Sequence, residues 1–137
     1  MKTYVLDACA IIALLNDEDG AEVVDNLIVD AAHGRCSLVM NKFNLLEVYY
    51  GYFRDFGLPY AEQQLSHVRS MNLMIIDHLT DAIFRQTAKL KATYRISLAD
   101  AVAIAQAMLD NATVVTCDHH ELDAVDRDGR VSFLWIR

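Results

Sequence analysis

Short apolar runs with strand character alternate with longer helical runs along the whole chain, and this alternation restricts the fold more than any other feature. Tyr4 to Leu6, Ser37 to Met40, Leu73 to Ile76, Thr113 to Thr116 and Val131 to Ile136 read as strands, rich in β-branched and aromatic residues. Helical spacing covers Ala8 to Leu15, Gly20 to His33, Lys42 to Phe56, Tyr60 to Arg69, Thr80 to Tyr94 and Ser97 to Leu109. Gly34 suits the end of the second helix, and Gly57 with Pro59 breaks the pattern after the third. Parallel strands need a crossover between them, which is what intervening helices supply. The expectation is an α/β fold built on a parallel sheet.

At 137 residues the chain suits one domain. Charged residues interrupt every apolar run short of the roughly 18 residues that a membrane span needs. The 54% apolar content then points to a buried oligomer face. The helix Lys42 to Phe56 is the expected dimer face. It is apolar almost all round, and at about 100° per residue Asn44, Glu47, Gly51 and Arg54 form its one polar stripe. No charged start leads into an apolar stretch and a small-residue cleavage site, so secretion is not indicated. Cys9, Cys36 and Cys117 are odd in number, widely spaced and set among apolar residues. They are expected to be core thiols in a reducing cytoplasm rather than a disulfide or zinc ligands.

A formal charge of −7 argues against broad phosphate contact, although acids that collect around a cation reverse the local sign. Arg85, Lys89, Lys91 and Arg95 form the one dense basic group, and a solvated helix face explains it.

The acids carry the functional signal. Asp7 ends the first strand and Asp118 follows the Thr113 to Thr116 strand. Asp100 opens a helix in a Ser97-Leu-Ala-Asp100 capping box, followed by small residues that bring this helix close to its neighbours. Each has an ordinary explanation: an N-cap for Asp7, the capping box for Asp100, a turn for Asp118, solvent for Glu47. Separate explanations do not predict a shared location. Strand ends and helix starts meet at the carboxyl edge of an open α/β sheet, where ligands bind. Carboxylates gathered there repel unless a cation joins them, and oxygen ligands favour Mg²⁺ or Mn²⁺ over Zn²⁺. Such a site suits phosphodiester hydrolysis.

Strand-Asp7-Ala-Cys-Ala-Ile-Ile, Asn44-Leu-Leu-Glu47-Val-Tyr-Tyr-Gly51, Ser97-Leu-Ala-Asp100-Ala and Val-Val-Thr116-Cys-Asp118 together resemble the four acidic motifs of PIN-domain nucleases. Their order and spacing are similar to those of the VapC-type toxins of toxin–antitoxin pairs, over nearly the whole chain. The resemblance implies a three-layer α/β/α sandwich around a short parallel sheet of four to five strands. It implies Mg²⁺- or Mn²⁺-dependent endoribonuclease activity, a homodimer, and a cognate antitoxin whose tail covers the acidic pocket. Asp7, Glu47, Asp100 and Asp118 match the metal-binding acids, and Thr116 supplies the hydroxyl beside the last. Asn41 stands where many members carry Ser or Thr. His119 and His120 follow Asp118 where a smaller or basic residue is common, and they are expected to face solvent. Glu121 and Asp123 are additional acids to which the resemblance gives no role.

Two other readings compete. A phospho-acceptor receiver domain would use Asp77 after the third strand, but it would also want an acidic pair after the first strand and a lysine after the last. A peptide-binding module of the same fold would use the acids to engage a basic partner.

Overall fold

The computed structural model describes residues 1–137. Five strands form one parallel sheet in the order β3-β2-β1-β4-β5: β1 (Lys2–Leu6), β2 (Cys36–Asn41), β3 (Met74–Ile76), β4 (Thr113–Thr116) and β5 (Ser132–Trp135). The expected α/β class and parallel sheet are therefore present, with helices on both faces. α1 (Ala8–Leu15), α2 (Ala21–Ala32), α3 (Lys42–Phe56) and α4 (Leu58–Arg69) cover one face. α5 (Asp81–Thr93), α6 (Leu98–Asp110) and α7 (His119–Asp128) cover the other.

Side-chain alternation builds both layers from the same strands. Leu6, Leu38, Met40 and Val115 point into the α1–α4 layer, while Val5, Val39 and Val114 point into the α5–α7 layer. Between the sheet and α5 lies α6, in which Ala99, Ala101, Ala103, Ala105 and Ala107 are all buried. Small side chains let its backbone sit close to the strands, as its sequence led one to expect.

Most helix limits agree with the spacing within a residue or two. α4 starts earlier than the expected Tyr60, because Pro59 sits in its first turn, where the missing N–H costs nothing. α7 is a helix that the sequence reading did not assign. Its capping signal was present: the Asp118 carboxylate accepts from the N–H of Glu121 at 3.2 Å, and Leu122 and Val125 fill the core at helical spacing.

The cysteine expectation is overturned. Cys9 and Cys117 form a disulfide with Cα atoms 5.9 Å apart, and only Cys36 remains a buried free thiol. The cause is strand register. Leu6 pairs with Val115, so the residues just beyond them, at the ends of adjacent central strands, come together despite a sequence separation of 108.

The expected dimer face, α3, is half covered by its own chain. α3 buries Asn44, Leu45, Val48 and Tyr52 against its own chain. Phe43, Leu46, Tyr50 and Phe53 are exposed beside Glu47, so the helix has one covered side and one open apolar side. An apolar groove of about 450 Å³ adjoins it, lined by Phe43, Leu46, Tyr49, Leu65, Leu79 and Ile83. No helix is long and apolar enough to cross a membrane.

Candidate active site

Strand order reverses at β1: the chain runs outward to β2 and β3 on one side and returns to β4 and β5 on the other. The crevice at the carboxyl ends of β1 and β4 is the switch point where open α/β sheets place ligands. Asp7 leaves β1 there and Asp118 follows β4 there, while Asp100 enters from the first turn of α6.

Asp7 is fully buried. One carboxylate oxygen accepts from the Ala10 N–H at 2.9 Å, which makes Asp7 the N-cap of α1; the other accepts from the Thr116 hydroxyl. The same Thr116 oxygen accepts from the Asp118 N–H at 3.1 Å. Thr116 thus ties the two strand-end acids to one another. Burial pushes the Asp7 carboxyl up from 3.8 to about 7, the two hydrogen bonds oppose this, and the charges of Asp118 and Glu47 add to the rise.

Asp100, Asp118 and Glu121 each offer a carboxylate oxygen, and these atoms lie within 4.8 Å of one another. The capping box expected at Asp100 is half present: the Ser97 hydroxyl accepts from the Asp100 N–H at 3.1 Å. The reciprocal bond to the Ser97 N–H comes from Glu121, at 3.2 Å, and not from Asp100. Relieved of that role, the Asp100 side chain faces the other acids. Its pKa is raised by burial first, then by its hydrogen bond with Glu121 and the charges of Asp7, Glu121 and Asp118. The Glu121 carboxyl is lowered, chiefly by that same bond. The two carboxyls thus shift in opposite directions, as expected of neighbouring acids that resist being charged together.

Glu47 reaches the group from α3. Its pKa is raised by partial burial, then by Glu121 and Asp118. Of the four acids read from the sequence, two belong to the close cluster; Asp7 and Glu47 stand beyond it, within reach of its charge. Glu121 is the member that sequence reasoning left without a role. The signal that could have found it is the helix cap itself, since Asp118 at the N-cap places the Glu121 side chain over the same end of the sheet.

Buried polar groups brace this edge. Asn44 accepts from the Ala8 N–H at 3.2 Å and donates to the Ala99 carbonyl at 3.1 Å, linking the starts of α1, α3 and α6. Asn41 takes the N-cap of α3, accepting from the Asn44 N–H at 2.9 Å, a task to which Ser or Thr is equally suited. His119 and His120 are exposed, as expected. His119 stacks on Trp135, with its ring nitrogens at 2.8 Å from Asp123 and 2.9 Å from the Arg137 carbonyl. Its pKa is raised, first by Asp123, so Asp123 serves the histidine and not the acid cluster.

The basic side chains Arg85, Lys89, Lys91 and Arg95 are exposed, and Lys91 donates to the Ile96 carbonyl at 2.7 Å. Asp77, the acceptor of the receiver reading, follows edge strand β3 with its side chain 70% exposed. It has no part in the acidic crevice. The large apolar groove beside α3 contains none of the five acids.

All-oxygen donors that carry more negative charge than they can hold unprotonated are matched to a hard divalent cation. The chemistry of the donor set thus fits Mg²⁺ or Mn²⁺, with Asp100, Asp118 and Glu121 nearest to one another.

Solved structures with the same fold cover nearly the whole chain. VapBC2 from Rickettsia felis, bound to a DNA fragment from its promoter, is 20% identical with a TM-score of 0.74, over 96% of this chain and 97% of that one. VapBC-1 from nontypeable Haemophilus influenzae is 18% identical with a TM-score of 0.70, over 98% of each chain. VapC20 from Mycobacterium tuberculosis, a toxin that cleaves the Sarcin-Ricin loop, is 15% identical with a TM-score of 0.66, over 88% of this chain and 94% of that one. No curated protein matches the sequence. The PIN domain family model matches residues 4–128, a span that runs from the strand before Asp7 to the end of α7 and takes in all five acids. On that match, and with the crevice where the fold requires it, the chain belongs to the PIN domain family.

Proposed function

We propose that the chain, acting as one nuclease domain over residues 1–137, is a Mg²⁺- or Mn²⁺-dependent endoribonuclease and the toxin of a toxin–antitoxin pair. The observation that carries this reading is the meeting of Asp100, Asp118 and Glu121 at the switch-point crevice, under the charge of Asp7 and Glu47. Membership of the PIN domain family supports nuclease chemistry, and the VapBC relatives support an antitoxin partner.

Asp7, Glu47, Asp100, Asp118 and Glu121 would hold the ion. When bound, it lowers the pKa of a water and offsets charge on the leaving oxygen of the phosphodiester. The chain's own residues prepare for this. Thr116 keeps the Asp7 carboxylate turned toward Asp118. Asn44 fixes the start of α1 against that of α6, which sets the spacing between Asp7 and Asp100. Burial raises the Asp7 and Asp100 carboxyls, so a cation that needs them ionised would bind more tightly as pH rises. The open apolar side of α3, with its groove, supports a homodimer in which Phe43, Leu46 and Tyr50 are covered.

The test is cleavage of a mixed single-stranded RNA by the purified chain. Cuts within the strand are expected in Mg²⁺ or Mn²⁺, none in EDTA, and a loss of at least about 100-fold in Asp100→Asn. Cleavage at the parent rate by Asp100→Asn, or in EDTA, would overturn the proposal. Calorimetry with Mn²⁺ separates a nuclease from a module that only binds a basic peptide, because the latter takes up no cation.

A further inference from the structure

The disulfide spans the crevice at its most sensitive place. Cys9 lies two residues after Asp7, in the first turn of α1. Cys117 separates Thr116, which donates to Asp7, from Asp118, the N-cap of α7. The main-chain ladder between these segments ends one residue earlier, where the Asp7 N–H donates to the Val115 carbonyl at 3.2 Å. Beyond Thr116 no main-chain hydrogen bond runs from the turn to α1: the Asp118 N–H donates to Thr116, the His119 N–H to the Cys117 carbonyl and the Glu121 N–H to Asp118, while the Glu121 and His119 side chains engage the Ser97 N–H and the Arg137 carbonyl. The sulfur bridge is thus the covalent tie from the Asp118 turn to α1, beside the Thr116 hydroxyl that joins the Asp118 N–H to the α1 cap Asp7. Both cysteines are only half-buried. Cys36 differs: it is buried at the opposite edge of the sheet, level with Lys2, with its S–H directed at the Leu27 carbonyl.

We propose that Cys9 and Cys117 are a reversible thiol–disulfide couple, exchanging with small disulfides of the glutathione class, and that the bond holds the Asp118 turn in the position that completes the acidic pocket. The consequence for cation binding rests on the reading of that pocket given above. In the forward direction one cysteine thiolate attacks a sulfur of the small disulfide and releases one small thiol. The second cysteine then attacks the mixed disulfide and releases another. Two protein S–H groups become one S–S bond, and the small disulfide gains two electrons and two protons as it becomes two thiols. Oxidation assembles the pocket. Reduction removes the covalent tie and loosens the Asp118 turn and the first turn of α7, leaving Thr116 and the Ser97 N–H as their remaining anchors.

The test uses the full-length chain equilibrated with glutathione disulfide or with dithiothreitol, then freed of reagent. Titration of thiols after denaturation is expected to find one in the oxidised protein, Cys36, and three in the reduced protein. Amide hydrogen exchange at Asp118 and Glu121 is expected to be about tenfold faster in the reduced form, with the central strands unchanged. Mn²⁺ affinity is expected to fall about tenfold on reduction, the loss usual when a group supporting metal ligands is removed. The double variant Cys9→Ser, Cys117→Ser should behave as the reduced form in both buffers, and Cys36→Ala should keep the full response. Three free thiols after oxidation would overturn the couple. Equal exchange at Asp118 and Glu121 in the two states would overturn the coupling, whatever the variants do. If Mn²⁺ binds in neither state, the cation reading fails on its own, and amide exchange still decides whether the bond holds the turn.

Discussion

Replacing Asp7 with Asn should make the metal-free protein more stable at alkaline pH while abolishing its activity. The carboxyl titrates at about 7 in the folded chain against 3.8 ordinarily, chiefly through burial. The folded state therefore binds the proton more tightly than the unfolded state. Stability is lost as pH rises from 3.8 through about 7, and is flat beyond. At about 1.4 kcal/mol per tenfold, the charged carboxylate costs the native state about 4 kcal/mol at pH 8. An asparagine removes that cost and still accepts from the Ala10 N–H. It leaves the Thr116 hydroxyl without its carboxylate acceptor, a loss of about 1 kcal/mol. The expected gain for Asp7→Asn is about 3 kcal/mol at pH 8, shrinking to about nil near pH 4. Urea unfolding in EDTA, followed by the fluorescence of Trp135, measures the difference across that range. A variant no more stable than the parent at pH 8, or a difference independent of pH, would refute the claim that the fold holds Asp7 against its preference for water.

Glu121→Gln removes one of the three clustered carboxylates and should weaken Mn²⁺ binding by roughly 10- to 100-fold in calorimetry; parent affinity would take Glu121 out of the site. Asn44→Ala leaves the buried Ala8 N–H without a partner and removes the tie to the Ala99 carbonyl. It should cost about 2–4 kcal/mol of stability by chemical denaturation. Gly20 adopts φ +94°, and a Cβ there would lie 2.6 Å from the Ile136 carbonyl oxygen, so Gly20→Ala should cost about 2 kcal/mol or more, read as a lower melting temperature.

The strand–acid junctions were legible because one local pattern, an apolar strand followed by a carboxylate, occurs at both Asp7 and Asp118, and sheet topology places such junctions at one edge. Asp100 was legible as a helix start, and its cap was read correctly up to the identity of the reciprocal partner. That partner, Glu121, lies 24 residues from Ser97 in the chain, beyond the reach of any helix-cap pattern. α7 was missed because only Leu122 and Val125 are buried in an otherwise polar stretch, too few apolar positions to establish a period. The disulfide depended on the offset between β1 and β4, a property of strand pairing that no local spacing encodes. For α3, residue spacing separated the polar from the apolar positions, but it carries no information about which apolar side the rest of the chain covers.

The run of alanines along α6 has an evolutionary consequence. Because Ala101, Ala103, Ala105 and Ala107 have almost no free surface, a single added methyl on any of them must lever the rod outward, and Asp100 rides on its tip. Selection for chemistry will then be felt several turns away, at positions that meet no reactant. Among descendants of this chain, the most slowly changing residues should include plain hydrocarbon side chains that no search for reactive groups would single out.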